Sequence, residues 1–374
     1  MFTLLKTVGR ARRAQLETSH GVVETPVFMP IATKGAVKTL SGSELESAGA
    51  QIILSNTYHL LLRPGQEALR KIGGLHRLMN WDRPILTDSG GYQVFSLSNL
   101  NKTTEEGVTF RSHLDGSKIL LTPEGSMEMQ EVIGSDLFMS FDDVAAGASS
   151  KKRFEEAMER SMRWAGRCRE HFNRLAPSGS QLFGIVQGGI HEDLRERSVR
   201  GLLEIGFDGY AIGGLSVGEG REDAYRIAKV VCDRLPADRP RYFMGGGMPE
   251  EIIHYVSLGV DLFDCVLPTR NARHGTLFTW AADPASIPWR AYLVGDRPIR
   301  AEEIYQKMHV TNEQYTLDLS APDVFCDCET CRTVSKAYLR HLFATREILG
   351  LRLATMHNVR FYLRLLEELR GAVA

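Results

Sequence analysis

The chain has 374 residues, and 45 Lys and Arg against 46 Asp and Glu give it a formal net charge of −1. Apolar residues make up 43% and charged residues 24%, which are values of an ordinary folded protein and exclude a wholly disordered chain. The near-neutral charge also excludes a polybasic coat. It leaves room for a local basic patch, which is all that nucleic-acid binding requires.

No apolar run in the sequence reaches the roughly 18 residues that a membrane-spanning helix needs, so no membrane partner is expected. The first residues have too short an apolar core for a secretory signal and lack a small-residue cleavage site. We therefore predict a cytoplasmic protein.

Eight short apolar runs follow one another along the chain as strand candidates: Val27–Ile31, Gln51–Ser55, Pro84–Thr87, Leu137–Phe141, Leu182–Val186, Tyr210–Ile212, Arg241–Met244 and Asp261–Phe263. Segments with apolar positions at i, i+3 and i+4 lie between several of them and predict helices: Glu44–Ala48, Pro123–Ile133, Arg153–Leu175, Glu192–Ile205, Glu222–Leu235 and Pro249–Leu258. This alternation predicts an α/β fold, a (β/α)8 TIM barrel. A doubly wound sheet is the alternative, but FMPIATKGAV after the first run lacks its glycine fingerprint.

Two segments outside the barrel units alternate like hairpins. Residues 11–27 do so around His20-Gly21, and residues 97–121 around Asp115-Gly116. Towards the C-terminus, helices are predicted over about 332–349 and 356–369. The predicted domain organisation is a barrel body with both hairpins at 1–271, a zinc-binding subdomain at 272–355 and a C-terminal helix packed on the barrel at 356–374.

Polar residues or glycines follow each predicted strand: Thr33, Asn56, Asp88, Asp142, Gln187, Gly213-Gly214, Gly245-Gly246 and Asp264. The C-terminal ends of barrel strands meet at one mouth, where the active sites of such barrels lie. Turn formation alone would explain one or two of these residues. Three carboxylates, an Asn and a Gln converging on one mouth favour a shared site.

Three cysteines, Cys326, Cys328 and Cys331, stand within six residues and predict a metal site rather than disulfides in a long cytosolic chain. A tetrahedral zinc needs a fourth donor, which a histidine from a later helix usually supplies. His341 and His357 are the candidates, and His357 is favoured because it should begin the next helix. We expect one closed, structural zinc per chain.

Asp88 and Asp264 each follow an apolar run, and two carboxylates facing one mouth permit displacement at a sugar carbon, one as nucleophile and the other handling protons. Helix capping by Asp88 and a rim hydrogen bond by Asp264 are the structural alternatives. Cys265 is a second nucleophile candidate, but a small buried thiol is the favoured interpretation.

Two further features suggest anion binding. Gly245-Gly246-Gly247 is a weak candidate for a phosphate-binding loop. Basic residues follow Asp264 and recur near the cysteines, where they could contact an RNA backbone or simply form solvated surfaces: Arg270, Arg273, His274, Arg332, Lys336, Arg340 and Arg346.

Taken together, these motifs resemble the tRNA-guanine transglycosylase (queuine tRNA-ribosyltransferase) family over essentially the whole chain. The matching segments are SNTYHLLLRPG (55–65), TDSGGYQVFSL (87–97), FGIVQGG (183–189), AIGGLSVGE (211–219), FMGGG (243–247), FDCVLPTR (263–270), the cysteine loop and MHN (356–358).

The resemblance implies an exchange of guanine at the wobble position of the tRNA anticodon for a 7-deazaguanine, in queuosine biosynthesis. Asp264 would attack the ribose anomeric carbon and give a covalent RNA–enzyme intermediate. Asp88 would act as general acid/base, and the configuration would be retained over two displacements, as in retaining glycosidases.

Further roles follow position by position from the same resemblance. Asp142, Gln187 and the backbone of Gly214 and Leu215 would read the base, and Tyr92 and Met244 would sandwich it. Arg270 and Arg273 would contact RNA. Cys326, Cys328, Cys331 and His357 would bind the family's structural zinc. A homodimer is implied, with Tyr338 and His341 in the interface near the zinc.

Two pocket positions disagree about the inserted base. Bacterial members of the family usually carry Glu-Cys where this chain has Asp143-Val144, which is closer to the eukaryotic pattern. Val217 is bacterial in type, whereas eukaryotic members carry glycine there to admit bulky queuine. Val217 would stand where the substituent of the base goes, so the expected base is the precursor 7-aminomethyl-7-deazaguanine, and a queuine-specific enzyme is the alternative.

Three other functions fit the sequence less well. A non-catalytic tRNA-binding accessory subunit would lack the catalytic aspartates, which are present here as Asp88 and Asp264. A zinc hydrolase would need a histidine pair among the mouth motifs, and there is none. The sequence also ends without the RNA-binding extension of archaeal relatives, which argues against archaeosine chemistry.

Overall fold

The computed structural model describes residues 1–92, 102–215 and 218–374. Its strands are β1 Phe2–Val8, β2 Ala11–Thr18, β3 Gly21–Thr25, β4 Val27–Met29, β5 Ile31–Ala32, β6 Ile53–Ser55, β7 Ile85–Thr87, β8 Lys102–Thr103, β9 Val108–Arg111, β10 Lys118–Leu121, β11 Leu137–Met139, β12 Gln181–Val186, β13 Gly209–Ile212, β14 Arg241–Phe243, β15 Leu262–Asp264, β16 Thr276–Trp280 and β17 Tyr305–His309.

Its α-helices span Gly42–Ser47, Thr57–Leu62, Gln66–Ile72, Leu75–Met79, Pro123–Ile133, Lys151–Leu175, Glu192–Ile205, Arg221–Cys232, Pro249–Ser257, Leu267–Arg273, Trp289–Val294, Ala301–Ile304, Glu329–Thr333, Lys336–Ala344 and Ile348–Val373. Short 3-10 turns occupy Pro284–Ser286 and Glu313–Tyr315. No helix in the described part of the chain is long and apolar enough to cross a membrane.

Nine strands form one sheet in the order β4-β15-β14-β13-β12-β11-β7-β6-β5. Every neighbouring pair in it is parallel. β4 and β5 are one predicted run interrupted at Pro30, which has no backbone N–H to donate. Because β4 pairs with β15 and β5 with β6, the two edges of the sheet meet at this run. The predicted (β/α)8 barrel is confirmed, with its first strand in two pieces.

Side chains alternate along the barrel strands, as the period of two in a strand requires. Inward residues form one apolar cluster: Val27, Met29, Leu54, Leu86, Leu137, Met139, Phe183, Ile185, Ala211, Tyr242 and Leu262. Their sequence neighbours pack outward against the helices, among them Phe28, Ile53, Ile85, Phe138, Phe243 and Phe263. The barrel interior is therefore a packed core, and any site lies at one of its ends.

The surrounding helices are amphipathic and capped. In Lys151–Leu175 the side chains of Phe154, Met158, Ala165 and Phe172 are buried along one face. Ser150 caps this helix by accepting a hydrogen bond from the Arg153 N–H. The helix begins two residues before its predicted start.

The N-terminal segment differs from the predicted hairpin. Residues 2–25 form a three-stranded antiparallel sheet, β1-β2-β3, because β1 adds to the edge of the β2–β3 hairpin. Leu16 and Val23 from this sheet join the inward cluster of the barrel. The sheet therefore closes the end of the barrel that lies opposite the mouth.

The second predicted hairpin is also a three-stranded antiparallel sheet, in the order β10-β9-β8. The predicted turn at Asp115-Gly116 joins β9 to β10. Residues 97–101 of this prediction lie outside the described residues. Trp164 of the long helix donates to the Glu105 carbonyl at 2.8 Å and ties this sheet to the barrel helices.

The C-terminal region contains the antiparallel pair β16–β17, which the sequence did not predict. The predicted helix at 332–349 is instead two helices, Glu329–Thr333 and Lys336–Ala344, followed by a bend at Arg346 with φ +59°. The last helix begins at Ile348 rather than near Met356, so it crosses the expected boundary at residue 356. Its Tyr362 donates to the Gly247 carbonyl at 2.7 Å, packing it on the barrel.

Candidate active site and metal centre

A cavity of about 370 Å³ opens at the C-terminal ends of the barrel strands. The inward-facing row of several strands continues into it, because residues two positions apart share a face. Two positions after an inward-facing residue, the next residue on the same face lines the cavity: Asp88 after Leu86, Met244 after Tyr242 and Asp264 after Leu262. The cavity is lined by Ile31, Thr33, Leu54, Asn56, His59, Asp88, Ser89, Tyr92, Asp142, Val144, Gly214, Leu215, Tyr242, Met244, Gly245, Asp264, Cys265 and Val266.

Asp264 ends β15 and holds one carboxylate oxygen in a fixed direction. Oδ1 accepts from the Tyr242 hydroxyl at 2.5 Å and from the Gly245 N–H at 2.9 Å. Among the described residues Oδ2 accepts no hydrogen bond, so it remains available to a ligand in the cavity. Burial raises the pKa of the Asp264 carboxyl, and these two hydrogen bonds oppose the rise.

Asp88 lies beside it after β7. Its carboxylate accepts from the Asn56 side-chain amide, and from the Thr57 N–H at 2.8 Å. Burial raises the pKa of the Asp88 carboxyl to about 7; the Asp264 carboxylate adds to the rise, while the hydrogen bonds oppose it. Near neutral pH this carboxyl can therefore either donate or accept a proton.

Asp142 and Gln187 form a hydrogen-bonded pair, in which the Gln187 amide donates to Asp142 Oδ2 at 2.7 Å. The Ser89 hydroxyl donates to Asp142 Oδ1 at 3.1 Å. Burial raises the pKa of Asp142 to about 6, against these hydrogen bonds. Asp142 lines the cavity, and Gln187 is joined to it by this hydrogen bond.

Gly214 brings its backbone close to Gln187, and Leu215 beside it lines the cavity. Gly214 has φ +60°, and a Cβ there would lie 2.2 Å from Gln187 Oε1, so any larger residue would strain the backbone and displace the Gln187 amide. Tyr92, which is 47% exposed, and Met244 also line the cavity. Val217 lies outside the described residues.

Asp143 and Val144, the unusual pair of the sequence, face different ways. Arg153 donates to the Asp143 carboxylate at 2.6 and 2.9 Å, and Arg160 pairs with it as well. Asp143 therefore forms ion pairs with the helix Lys151–Leu175, whereas Val144 lines the cavity.

The glycine loop 245–247 shapes the site around Asp264. Gly245 donates to Asp264, and a Cβ on Gly247 would lie 2.2 Å from Cys265 Sγ. Burial raises the pKa of the Cys265 thiol well above its ordinary value, so it is a neutral thiol at physiological pH. The loop therefore orients the Asp264 carboxylate. The Cys265 thiol donates to the Gly247 carbonyl at 3.7 Å, and no basic side chain among the described residues accepts its proton.

Arg270 and Arg273 lie on the helix Leu267–Arg273 directly after Asp264. Arg273 donates from Nε to the Thr269 carbonyl at 3.0 Å. Neither arginine forms an ion pair with any residue that the structure describes. Both guanidinium groups therefore keep charge available for an anion near the mouth.

The metal-ligating atoms of Cys326, Cys328, Cys331 and His357 lie within 4.8 Å of one another. His357 Nδ1 faces Cys331 Sγ at 3.2 Å and Cys328 Sγ at 3.7 Å. Its Nε2 donates to the Phe278 carbonyl at 2.7 Å, which leaves Nδ1 as the ligand atom.

Three thiolates and an imidazole are the donor set of a closed, structural zinc, and the predicted structural zinc site is confirmed. His357 lies ten residues into the last helix rather than at its start. His341 is exposed on the preceding helix, away from the cluster.

Sequence reasoning missed Tyr242, Ser89 and Thr57 as partners of the three mouth aspartates. A signal for Tyr242 existed: it lies two residues before Met244, on the same face of its strand. Thr57 gave no such signal, because it contacts Asp88 from a separate helix.

A TIM barrel with carboxylates grouped at its mouth and a Cys3His centre beside it defines the class of the protein, a barrel enzyme with a structural metal. The family described as Queuine tRNA-ribosyltransferase matches residues 7–374. The chain is 50% identical over 372 residues to a queuine tRNA-ribosyltransferase of Shewanella halifaxensis, covering all of this chain and 92% of that protein. A relative of the same description from Shewanella putrefaciens is also 50% identical, with 93% of it covered.

The chain therefore belongs to the queuine tRNA-ribosyltransferase family. The predicted enzyme class, a glycosyl-transferring tRNA-guanine transglycosylase of queuosine modification, is confirmed. This membership argues against a non-catalytic accessory subunit and against a zinc hydrolase.

Proposed function

We propose that the mouth exchanges guanine at the wobble position of the tRNA anticodon for a 7-deazaguanine by double displacement. The observation that carries this proposal is the pair Asp88 and Asp264, both buried in one cavity. Asp264 Oδ2 accepts no hydrogen bond from the residues that the structure describes, and burial raises the pKa of Asp88 to about 7. General acid/base catalysis is most effective when the pKa of the group lies near the working pH.

In the first displacement Asp264 Oδ2 bonds to the ribose anomeric carbon as the bond from that carbon to guanine breaks. The electron pair leaves with guanine, which takes a proton from Asp88. In the second, the incoming base gives a proton to Asp88 and attacks the same carbon, releasing Asp264. Two inversions restore the configuration, as in retaining glycosidases.

The extruded base would stack between Tyr92 and Met244 and be read along its edge by Asp142, Gln187 and the backbone of Gly214 and Leu215. Enzymes that act on a nucleobase extrude it into such a pocket. The supporting contacts are the Asp142–Gln187 hydrogen bond and the close approach of Gly214 to Gln187. In this scheme Arg270 and Arg273 bind the RNA backbone of the anticodon loop.

For the inserted base we propose 7-aminomethyl-7-deazaguanine, the queuine precursor. The residue type at position 217 supports the smaller base, because valine carries two methyl groups that the glycine of queuine-using relatives lacks. Val144, which is closer to the eukaryotic pattern, lines the cavity in place of the usual thiol and argues for queuine instead.

The exchange is tested by loading the wobble position of tRNA with labelled guanine and following its release. The precursor base and queuine are supplied separately as competing bases. We expect release with the precursor and a covalent RNA adduct on a denaturing gel. Failure of both bases to release label would refute the proposed exchange.

We further propose a homodimer, acting in the cytoplasm where mature tRNA occurs. Large apolar side chains stand exposed around the zinc centre and support an interface there: Leu317, Leu319, Val324, Phe325, Tyr338 and Ile348. Light scattering should give twice the chain mass, and Tyr338→Asp should reduce it. A monomeric wild type at micromolar concentration would contradict the dimer.

A further inference from the structure

Arg195 is a wholly buried arginine on the outer side of the mouth. It lies in the first turn of the helix Glu192–Ile205, which follows β12. Its Nη1 donates to the carbonyls of Val186 at 2.6 Å and Gly213 at 2.7 Å, and its Nε donates to the Gly189 carbonyl at 2.8 Å. One guanidinium thus joins the ends of two neighbouring barrel strands.

The joined segments carry the groups proposed to read the base. Gln187 directly follows Val186, and Gly214 directly follows Gly213. Arg195 Nη2 also reaches the Gly214 carbonyl at 3.4 Å. The fork of Arg195 therefore sets the separation between the Gln187 amide and the Gly214 backbone.

The charge of Arg195 is retained although it is buried. Burial lowers the pKa of its guanidinium to about 9, and the Glu219 carboxylate opposes that fall. Taking a cation out of water is unfavourable unless polar partners surround it, and backbone carbonyls do so here. A lysine would keep the charge but could not reach several carbonyls in one plane, because its ammonium is a single point donor.

We infer that Arg195 is a positioning residue for base recognition: it holds Gln187 and Gly214 at the spacing that the edge of a purine-like base requires. This inference rests on the proposed function of the mouth. It concerns the binding of the free base and not the attack by Asp264. None of the hydrogen bonds of Arg195 involves the residues that orient Asp264, which are Tyr242 and Gly245.

The chain offers a matched control in Arg241. It too is buried, and it donates to the Leu235 carbonyl at 2.8 Å and to the Gly259 carbonyl at 3.5 Å. It starts β14, so these contacts lie at the end of the barrel opposite the mouth. Arg195→Lys and Arg241→Lys remove the same kind of multi-carbonyl fork from the two ends.

The test compares both variants with wild type in guanine exchange, varying free base and tRNA separately. For Arg195→Lys we expect the KM for the base to rise roughly 10-fold, because hydrogen bonds that hold the reading groups are lost, while the KM for tRNA changes less than about twofold. Arg241→Lys should lower the melting temperature and leave the KM for the base unchanged. An unchanged base KM in Arg195→Lys, or an equal rise in both variants, would overturn the inference.

A second variant guards against misfolding of Arg195→Lys. The Gln187 N–H donates to the Ser198 hydroxyl at 3.1 Å, so Ser198→Ala loosens the same segment through one contact. We expect its base KM to rise roughly threefold. Wild type serves as the check on the proposed function. If wild type shows neither exchange nor the adduct, the proposed function is wrong. If wild type exchanges the base normally and neither variant changes the KM for the base, only the role of Arg195 is refuted.

Discussion

The aspartates that line the cavity and those buried at the closed end of the barrel have different kinds of partner. At the mouth, Asp88, Asp142 and Asp264 accept hydrogen bonds from neutral groups, and none has an ion-pair partner among the described residues. At the closed end, Asp261 forms an ion pair with Arg12, and Asp136 accepts from His20 at 2.8 Å and from the Ile85 N–H at 2.9 Å.

The difference appears in the pKa values. Burial raises the pKa of all three mouth carboxyls. The pKa of Asp136 is lowered, because hydrogen bonds from His76, His20 and Ile85 outweigh its burial. A buried carboxylate whose hydrogen bonds lower its pKa stabilises the folded state. A buried carboxyl with a raised pKa can exchange a proton nearer to neutral pH, at a cost in stability.

The largest expected effect is on activity, and it distinguishes the aspartates at the two ends of a single strand, β15. Asp264→Asn should abolish the covalent RNA adduct and lower kcat/KM by about 10³-fold or more, because an amide cannot replace the nucleophile. Denaturing gels of enzyme with tRNA measure this. Asp261→Asn, at the other end of the same strand, should lose stability and keep the adduct. A persistent adduct in Asp264→Asn would move the nucleophile elsewhere, with Asp88 next in line.

A second prediction concerns the closed end alone. Arg12→Met should lower the free energy of unfolding by about 3–5 kcal/mol, because it leaves the Asp261 carboxylate buried without its cation. Urea unfolding at pH 7 measures the loss. Arg239→Met, which removes an exposed pair with Asp238, should cost less than about 1 kcal/mol. Equal losses in the two variants would contradict the assigned difference.

The third prediction tests the proposed preference for the smaller base. Val217→Gly should improve use of queuine relative to the precursor by roughly 5- to 150-fold, corresponding to the 1–3 kcal/mol that overpacking typically costs. The ratio of kcat/KM for the two bases in both proteins is the measurement. A wild type that already uses queuine as well as the precursor would indicate that Val144 is the better guide.

The smallest effect is a pair of opposite pH dependences. The raised pKa of Asp88 contributes stability that is full below about pH 4 and is lost as pH rises from there through about 7. The stability of Asp88→Asn relative to wild type should therefore increase between pH 5 and pH 8, by on the order of 1 kcal/mol. The lowered pKa of Asp136 contributes stability that is present above pH 4 and is lost at lower pH.

Asp136→Asn should therefore be less stable than wild type at pH 5 and at pH 8 alike. Thermal melts of the three proteins at the two pH values distinguish these cases. A fall in the relative stability of Asp88→Asn from pH 5 to pH 8 would show that its carboxylate is stabilised rather than penalised.

Local patterns in the sequence were sufficient to predict the barrel and most of the polar residues at its mouth. Strand alternation depends on neighbouring residues, so the eight runs and their polar ends could be recognised without knowledge of distant contacts. The same holds for Cys326, Cys328 and Cys331, whose close spacing already indicates one metal. The hairpin of β2 and β3 was also recognisable from its turn.

Only the tertiary structure decided what depends on residues far apart in the chain. Arg12 and Asp261 are separated by 249 positions, and β1 completes a sheet where the sequence predicted only a hairpin. His357 reaches the cysteines from inside a long helix, a location that its own neighbours do not reveal. The pKa of about 7 at Asp88 arises from burial and from Asp264 across the cavity, so it exists only once the barrel has brought them together.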